Sequence, residues 1–238
     1  MGSLLSKPTR NELENPVGSK IELRIAVTGL SGAGKSAFIN AIRGVDDDDD
    51  DENAALTGIV ETTQEPTEYK HPKNPMISFV ELPACGSVRY PDIRAFFEKV
   101  DVDVFDVFLI LTSTRFSHND LELAREMKSM RKPFFFVRTK IDLDCLAEQI
   151  RKRHFDEMEI LKEIRDYYKE NVRVFLESDD HVFLISNYYR DRWDFERLAQ
   201  AIYAQLPKDQ REDVIFPKAG EAGKKEEEEE KDELKFLL

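Results

Sequence analysis

The chain is short of the residues that build several common kinds of protein. It holds 2 cysteines, Cys85 and Cys145, among 238 residues, too few for a disulfide framework and suited to a reducing compartment. Its 4 histidines, His71, His118, His154 and His181, are scattered, and none pairs with a cysteine at zinc-ligand spacing. No run of about 18 apolar residues occurs, so no segment is expected to span a membrane. The start lacks the charged-then-apolar pattern of a secretory leader, which points to a cytoplasmic protein. Positive charge is in deficit: 35 Lys and Arg face 48 Asp and Glu, a net charge of −13. No basic stripe appears, which argues against nucleic acid as a partner.

What is present begins with a glycine loop. Gly29-Leu30-Ser31-Gly32-Ala33-Gly34-Lys35-Ser36 matches G-x-x-x-x-G-K-S. It lies between a segment, Ile21 to Thr28, that reads as a strand and a segment, Ala37 to Arg43, that reads as a helix closed by Gly44. Strand, loop and helix is the context a phosphate-binding loop requires. Its glycines let the backbone approach a phosphate, the N–H groups point inward, and the helix start adds positive potential. Gly29, Ser31, Gly32, Ala33, Gly34 and Ala37 would cradle the phosphates. Lys35 would reach the β- and γ-phosphates, and the Ser36 hydroxyl would ligate Mg²⁺.

Thr139-Lys140-Ile141-Asp142 follows the apolar run Pro133 to Arg138. A T-K-x-D tetrad at a strand end is suited to reading guanine. Guanine offers N1–H and a 2-amino group as adjacent donors, and the Asp142 carboxylate would accept both. Adenine offers an acceptor at N1 and would meet that carboxylate lone pair to lone pair, a mismatch such a site rejects strongly. The Lys140 stem would lie over the base plane. Ser186-Asn187 ends a later apolar run, Val182 to Ile185, and would add a backbone N–H to the guanine carbonyl. GTP or GDP with Mg²⁺ is the ligand these residues imply. Because Ser36 belongs to the phosphate loop, no hydrolase triad is indicated.

With these residues in place, the chain resembles the immunity-related, interferon-inducible GTPases from about Lys20 to Gln205. Thr57 to Tyr69 looks like that family's first switch, Phe136 to Asp142 like its base-reading strand and loop, and Val182 to Asn187 like its last base contact. The resemblance implies a Ras-like fold, GTP binding, self-association through the G domain, and action on intracellular membranes in cell-autonomous defence. Thr62 or Thr63 would then close over the γ-phosphate and complete the Mg²⁺ shell, acting with Lys35 in turnover.

Two departures stand out. The second switch should read Asp-x-x-Gly; here Glu81-Leu82-Pro83-Ala84 stands in that place. Glu81 is one methylene longer than the Mg²⁺-associated Asp, and the methyl of Ala84 resists the positive φ a glycine permits. Cys85 stands where many GTPases carry a water-orienting Gln, and Gly86, two residues beyond Ala84, would permit a shifted loop. Phosphate and base contacts are thus intact while the γ-phosphate sensor is altered. A slow GTPase is the leading reading. A pseudo-GTPase that binds guanine nucleotide without turnover is the alternative, and Asp142 disfavours an ATP-using kinase. The other departure is length: the family's helical domain does not follow the G domain here, as expected of a natural short form or an incomplete gene model.

Three segments are expected, namely 1–19 as a flexible or lipid-anchored start, 20–206 as a G domain, and 207–238 as a charged, disordered tail. Gly2 fits an N-myristoylation pattern that would give peripheral membrane contact, although one acyl chain binds only marginally. Asp46 to Asp51 form an acidic run with Glu52, expected to be a solvated loop because it self-repels and buries nothing. Helices alternate with apolar strands, so the fold class is α/β, a mostly parallel sheet covered by helices on both faces. Strands are expected near Glu65–His71, Ile77–Glu81, Val104–Leu111, Phe134–Val137 and Val182–Ile185. Helices are expected over Pro91–Val100, Asn119–Met130 and Phe195–Gln205, and as one long helix over Gln149–Val172. Trp193 is expected to pack on the last helix.

Overall fold

A computed structural model describes residues 22–47, 53–58, 63, 65–87, 90–176 and 179–206. Gly2, Thr62, most of the acidic run and the segment 207–238 lie outside the described residues. The elements in chain order are β1 (Leu23–Gly29), α1 (Lys35–Arg43), β2 (Thr67–His71), β3 (Asn74–Glu81), α2 (Ile93–Lys99), β4 (Val107–Thr112), α3 (His118–Ser129), β5 (Phe134–Arg138), α4 (Ile141–Arg151), α5 (Glu157–Val172), β6 (Val182–Leu184) and α6 (Phe195–Tyr203). The strands form one sheet in the order β2-β3-β1-β4-β5-β6. All neighbours are parallel except the β2–β3 hairpin.

The continuous apolar runs become central strands because both faces of the sheet are covered. Alternate residues of one strand feed two separate cores. Leu109 and Leu111 join Val27, Phe38, Ile39, Leu198 and Ile202 beneath α1 and α6. Phe108 and Ile110 join Phe96, Leu123, Met127, Phe136 and Tyr168 beneath α2, α3 and α5. The edge strand β2 carries Glu68 and Lys70 and stays largely exposed, the charged pattern that protects an edge from further pairing. The order of strands runs outward in opposite directions on the two sides of β1, so a crevice opens at the carboxyl ends of the strands.

Three expectations are corrected. The segment Gln149–Val172 is not one helix. The α4 helix begins at Ile141 and ends where Lys152 turns extended, and α5 restarts at the Asp156 cap, whose carboxylate accepts from Met158 and Glu159 N–H. The apolar spacing runs across this break, but Ile150 and Met158 are 77% and 72% exposed, so the periodicity joined two faces that do not coincide. The strand expected from Val104 starts instead at Val107, because Asp101 caps a short 3₁₀ turn over Val102–Val104. Trp193 packs against the Ile141, Cys145, Leu161 and Leu184 cluster and donates to Glu157 Oε1 at 2.9 Å, so it braces α4 and α5 rather than the last helix. The remaining elements match their expected places to within a few residues.

His71 closes the β2–β3 hairpin. Its Nδ1 accepts from the N–H groups of Lys73 and Asn74, each at 3.2 Å, and its Nε2 lies 3.1 Å from the Tyr203 hydroxyl on α6. An imidazole accepting at Nδ1 is neutral, or charged only at the loss of those bonds. Burial, then the Arg43 and Lys73 charges, lower its pKa from 6.5 to about 4. Below pH 6.5 the unfolded chain takes up a proton that the folded chain refuses until about pH 4. Stability is therefore expected to decline across that window, by up to about 3 kcal/mol for this group. Chemical denaturation as a function of pH checks this. A His71→Gln variant should start less stable at neutral pH yet decline less across the window, and a decline equal to that of the native chain would overturn the reading.

Candidate functional site

The crevice at the strand ends holds a cavity of about 530 Å³, lined by Ser31, Gly32, Gly34, Lys35, Ser36, Ala37, Thr57, Gly58, Thr63, Glu81, Lys140, Asp142, Leu143, Asn187 and Tyr188. The glycine loop and the base-reading tetrad, far apart in sequence, thus line one space. The loop runs from the end of β1 into α1. Gly34 caps α1 in the left-handed conformation, φ 81°, with no side-chain cap. The first N–H groups of a helix have no partner within it, so the α1 terminus and the loop together form an anion cradle. The Lys35 ammonium folds back on the Gly29 and Leu30 carbonyls, each at 3.4 Å.

The base-reading loop is fastened to the phosphate loop. The Thr139 hydroxyl donates to Ala33 O at 2.8 Å and lies 3.2 Å from Thr112 O. Asn187 Nδ2 donates to Gly34 O at 3.1 Å. Lys140 sits at φ 62°, again left-handed, and starts α4, which puts Asp142 in the first helical turn and on the cavity wall. Ser186 Oγ accepts from the N–H groups of Tyr188 and Tyr189 at 3.2 and 3.3 Å, fixing the turn after β6. Gly29, Ala33, Thr139 and Ser186 thus shape the loops, while Ser31, Gly32, Gly34, Lys35, Ser36, Ala37, Lys140, Asp142 and Asn187 face the space.

Glu81, at the end of β3, reaches the phosphate loop directly. Ser36 Oγ donates toward both of its carboxylate oxygens at 3.0 Å, and the Thr63 hydroxyl also bonds to it. Burial raises the Glu81 pKa, opposed by the Thr63 bond, the Lys35 charge and the Ser36 bond. Ala84 and Cys85 are buried, and burial first, with Asp120 and other carboxylates, pushes the Cys85 thiol up to about 11. The Gly86 N–H donates to Tyr90 O at 2.6 Å, and a Cβ on Gly86 would fall 2.7 Å from Asn119 Nδ2. Gly86 therefore serves a turn that leads away from the cavity.

Sequence reasoning missed several participants. Thr57, Gly58, Leu143 and Tyr188 line the cavity; the first two lie within the expected first switch, and Tyr188 follows Asn187. Arg138 is buried and bonds Thr139 O at 2.9 Å and the Asp144 carboxylate, bracing the base loop from behind. Burial raises the Asp144 pKa against the pull of Arg138. No motif flags such a brace, although its partners Thr139 and Asp144 lie close to it in sequence. Among the described residues there is no group of three or more His, Cys, Asp or Glu placed to hold a metal, and no helix is long and apolar enough to cross a membrane.

A family model described as interferon-inducible GTPase (IIGP) matches residues 12–219. The mouse (Mus musculus) protein named T-cell-specific guanine nucleotide triphosphate-binding protein 2 is 40% identical over 186 residues, covering 78% of this chain and 44% of that protein. Mouse interferon-inducible GTPase 1 is 39% identical over 186 residues with the same coverage. The chain thus spans somewhat under half the length of these relatives. Among solved structures, a variant of Aquifex aeolicus Era bound to GDP and aluminium fluoride superposes with a TM-score of 0.54 at 20% identity, over 80% of this chain and 58% of that one. That likeness fixes the fold as Ras-like.

The left-handed cap at Gly34 generates a test of the site's construction. A Cβ there would lie 3.1 Å from Asn187 Nδ2, and an L-residue in that conformation costs roughly 1–2 kcal/mol. Gly34→Ala is expected to lower the unfolding free energy by about that much, read as a lower denaturation midpoint with an unchanged slope. An unshifted midpoint would mean that the cap and the Asn187 bond do not constrain the loop.

Proposed function

The chain belongs to the interferon-inducible GTPase family, and from that premise we propose that the cavity binds GTP and GDP and turns GTP over slowly. The carrying observation is that Lys35 and Asp142 face one space whose two walls are tied together by Thr139 and Asn187. In this reading the α1 terminus and Lys35 take the phosphates, Asp142 accepts the guanine N1–H and 2-amino donors, and the Lys140 stem covers the base. Thr63, or its neighbour Thr62, closes over the γ-phosphate.

The residues fit Mg²⁺. Ser36, Thr63 and Glu81 present only oxygen atoms, the ligands this cation prefers beside phosphates and water. The Ser36 hydroxyl spends its proton on Glu81 and keeps lone pairs for an ion. Bound there, the ion would supply positive charge that offsets the negative charge of the phosphates. Glu81 would orient the Ser36 oxygen and accept from Thr63. No Gln follows the second switch, so the attacking water would rely on positioning, by this chain or by a second copy of the domain, as the family resemblance implies. A G domain over 20–206, membrane contact through Gly2 and a role in cell-autonomous defence complete the reading.

A second reading, nucleotide binding without turnover, is favoured by one feature. Glu81 already reaches Ser36 directly, where a shorter carboxylate would leave room for a water, and the Ala84 methyl is buried away from the cavity. On this reading the protein acts as a regulatory interaction module.

Isothermal titration tests the shared core of both readings. GDP and GTP should bind far more tightly than ATP. Asp142→Asn should lose about ten- to a hundredfold in guanine affinity, the range for a lost charge-assisted hydrogen bond, and gain affinity for xanthine nucleotide. Equal binding of ATP and GTP by the native chain rules the assignment out. Phosphate release separates the two readings. Glu81→Asp combined with Ala84→Gly should raise hydrolysis several-fold, whereas a native chain that already matches the double variant would show that the second switch is not impaired.

A further inference from the structure

The helix that carries the base-reading carboxylate starts without a side-chain cap. Lys140 precedes α4 in the left-handed conformation, and its side chain closes none of the N–H groups of the first turn. Such a start must be held by other groups. Two holds act ahead of Asp142 in the chain. The Thr139 hydroxyl bonds Ala33 O, and Ile141 is fully buried in a cluster with Cys145, Leu161 and Leu184. The third hold is Arg138, the last residue of β5. Its side chain is 8% exposed. Nη1 donates to Thr139 O at 2.9 Å, and Nη2 donates to the Asp144 carboxylate. These partners stand on either side of Lys140-Ile141-Asp142, so one planar group spans the tripeptide that reads the base.

An ion pair of this kind is a poor source of stability. A buried pair loses in desolvation about what it gains in attraction, and the Asp144 side chain is one-third open to solvent. What the guanidinium supplies is geometry, because its donors form a rigid fork. Asp144 lies two residues beyond Asp142 at the start of the same helix, so the place where Asp144 is held decides how that turn faces the cavity. Asp142 has to present two oxygens to two adjacent donors, an arrangement that tolerates little rotation. Arg138 also sets a positive charge against the second carboxylate of this turn.

We propose that Arg138 and Asp144 are positioning residues for guanine, the fork fixing the first turn of α4 so that both oxygens of Asp142 meet N1–H and the 2-amino group. This rests on the guanine-nucleotide reading of the cavity. Neither residue lines the cavity, so both act through Asp142. Their signature is therefore in base selectivity, measured as the contribution of the 2-amino group, rather than in nucleotide affinity at large.

The test compares GDP with IDP, the same nucleotide without the 2-amino group, by isothermal titration of the full chain. For the native chain GDP should bind about ten- to a hundredfold more tightly, the range for one charge-assisted hydrogen bond. Asp144→Ala is expected to shrink that ratio about three- to tenfold. Arg138→Lys keeps the charge but not the fork, and should shrink the ratio likewise. Asp144→Asn keeps an oxygen for Arg138 and should fall between native and Asp144→Ala. Asp144→Ala combined with Arg138→Lys should lose no more than the larger single change, because both break the same contact. Circular dichroism melting establishes that each variant is folded at the titration temperature, and Asp144→Ala carries the test alone if Arg138→Lys does not fold. An unchanged ratio in folded Asp144→Ala overturns the proposal. So does an equal loss of affinity for GDP and IDP, which would make the pair a support for the fold and nothing more. A native chain that binds GDP no better than ADP sinks the cavity reading and this proposal with it, whereas native preference for GDP with an unaltered ratio in the variants sinks this proposal alone.

Discussion

The contact on which the site depends is the Thr139 hydroxyl donating to Ala33 O. It joins the phosphate loop to the base loop across 106 residues of sequence, and it is fully buried. A buried hydroxyl without a partner is costly, so this one holds the loops at a fixed separation rather than merely near one another. Asn187 repeats the device one residue further along, on Gly34 O. The separation of the phosphate loop from the Thr139–Asp142 loop is thereby set by the protein itself. Preorganisation of that kind is what lets a small polar pocket discriminate between bases.

Residues that carry chemistry in a local pattern were legible in the sequence. Lys35, Ser36, Lys140, Asp142 and Asn187 line one cavity because their roles depend on a loop joining a strand to a helix, and that junction is written in consecutive residues. Strand identity was legible for the same reason, since a buried parallel strand is apolar throughout. What could not be read are features made by the meeting of distant segments. The Tyr203 hydroxyl on α6 meeting the His71 ring on β2 is one. The break between α4 and α5 escaped because Ile150 and Met158 keep the apolar rhythm while pointing outward; Asp156 is the sign of a fresh helix start, and its force as a cap outweighs the periodicity.

The second switch was legible as an anomaly and gains a physical description in the fold. Glu81 is not a loose acid near the site. It bonds Ser36 and Thr63 together, so a residue from β3, one from α1 and one from the first switch segment share one carboxylate. Beyond it the chain turns inward, with Leu82 N–H on Val27 O and Ala84 buried, and the glycine that follows is committed to the turn with Tyr90. The altered motif thus trades a glycine at the cavity for a closed, buried corner.

Arg43, the last residue of α1, bonds Lys70 O on the edge strand at 2.9 Å and Asn53 O at 2.8 Å. The first residue of the same helix is Lys35. A helix of this length is a rod of roughly 13 Å, stiffer than the segments at either end. It therefore works as a lever with the phosphate cradle at one tip and the outermost strand of the sheet at the other. A tilt of α1 at the cradle would also move Arg43 and, through its bond to Lys70 O, pull on the outermost strand.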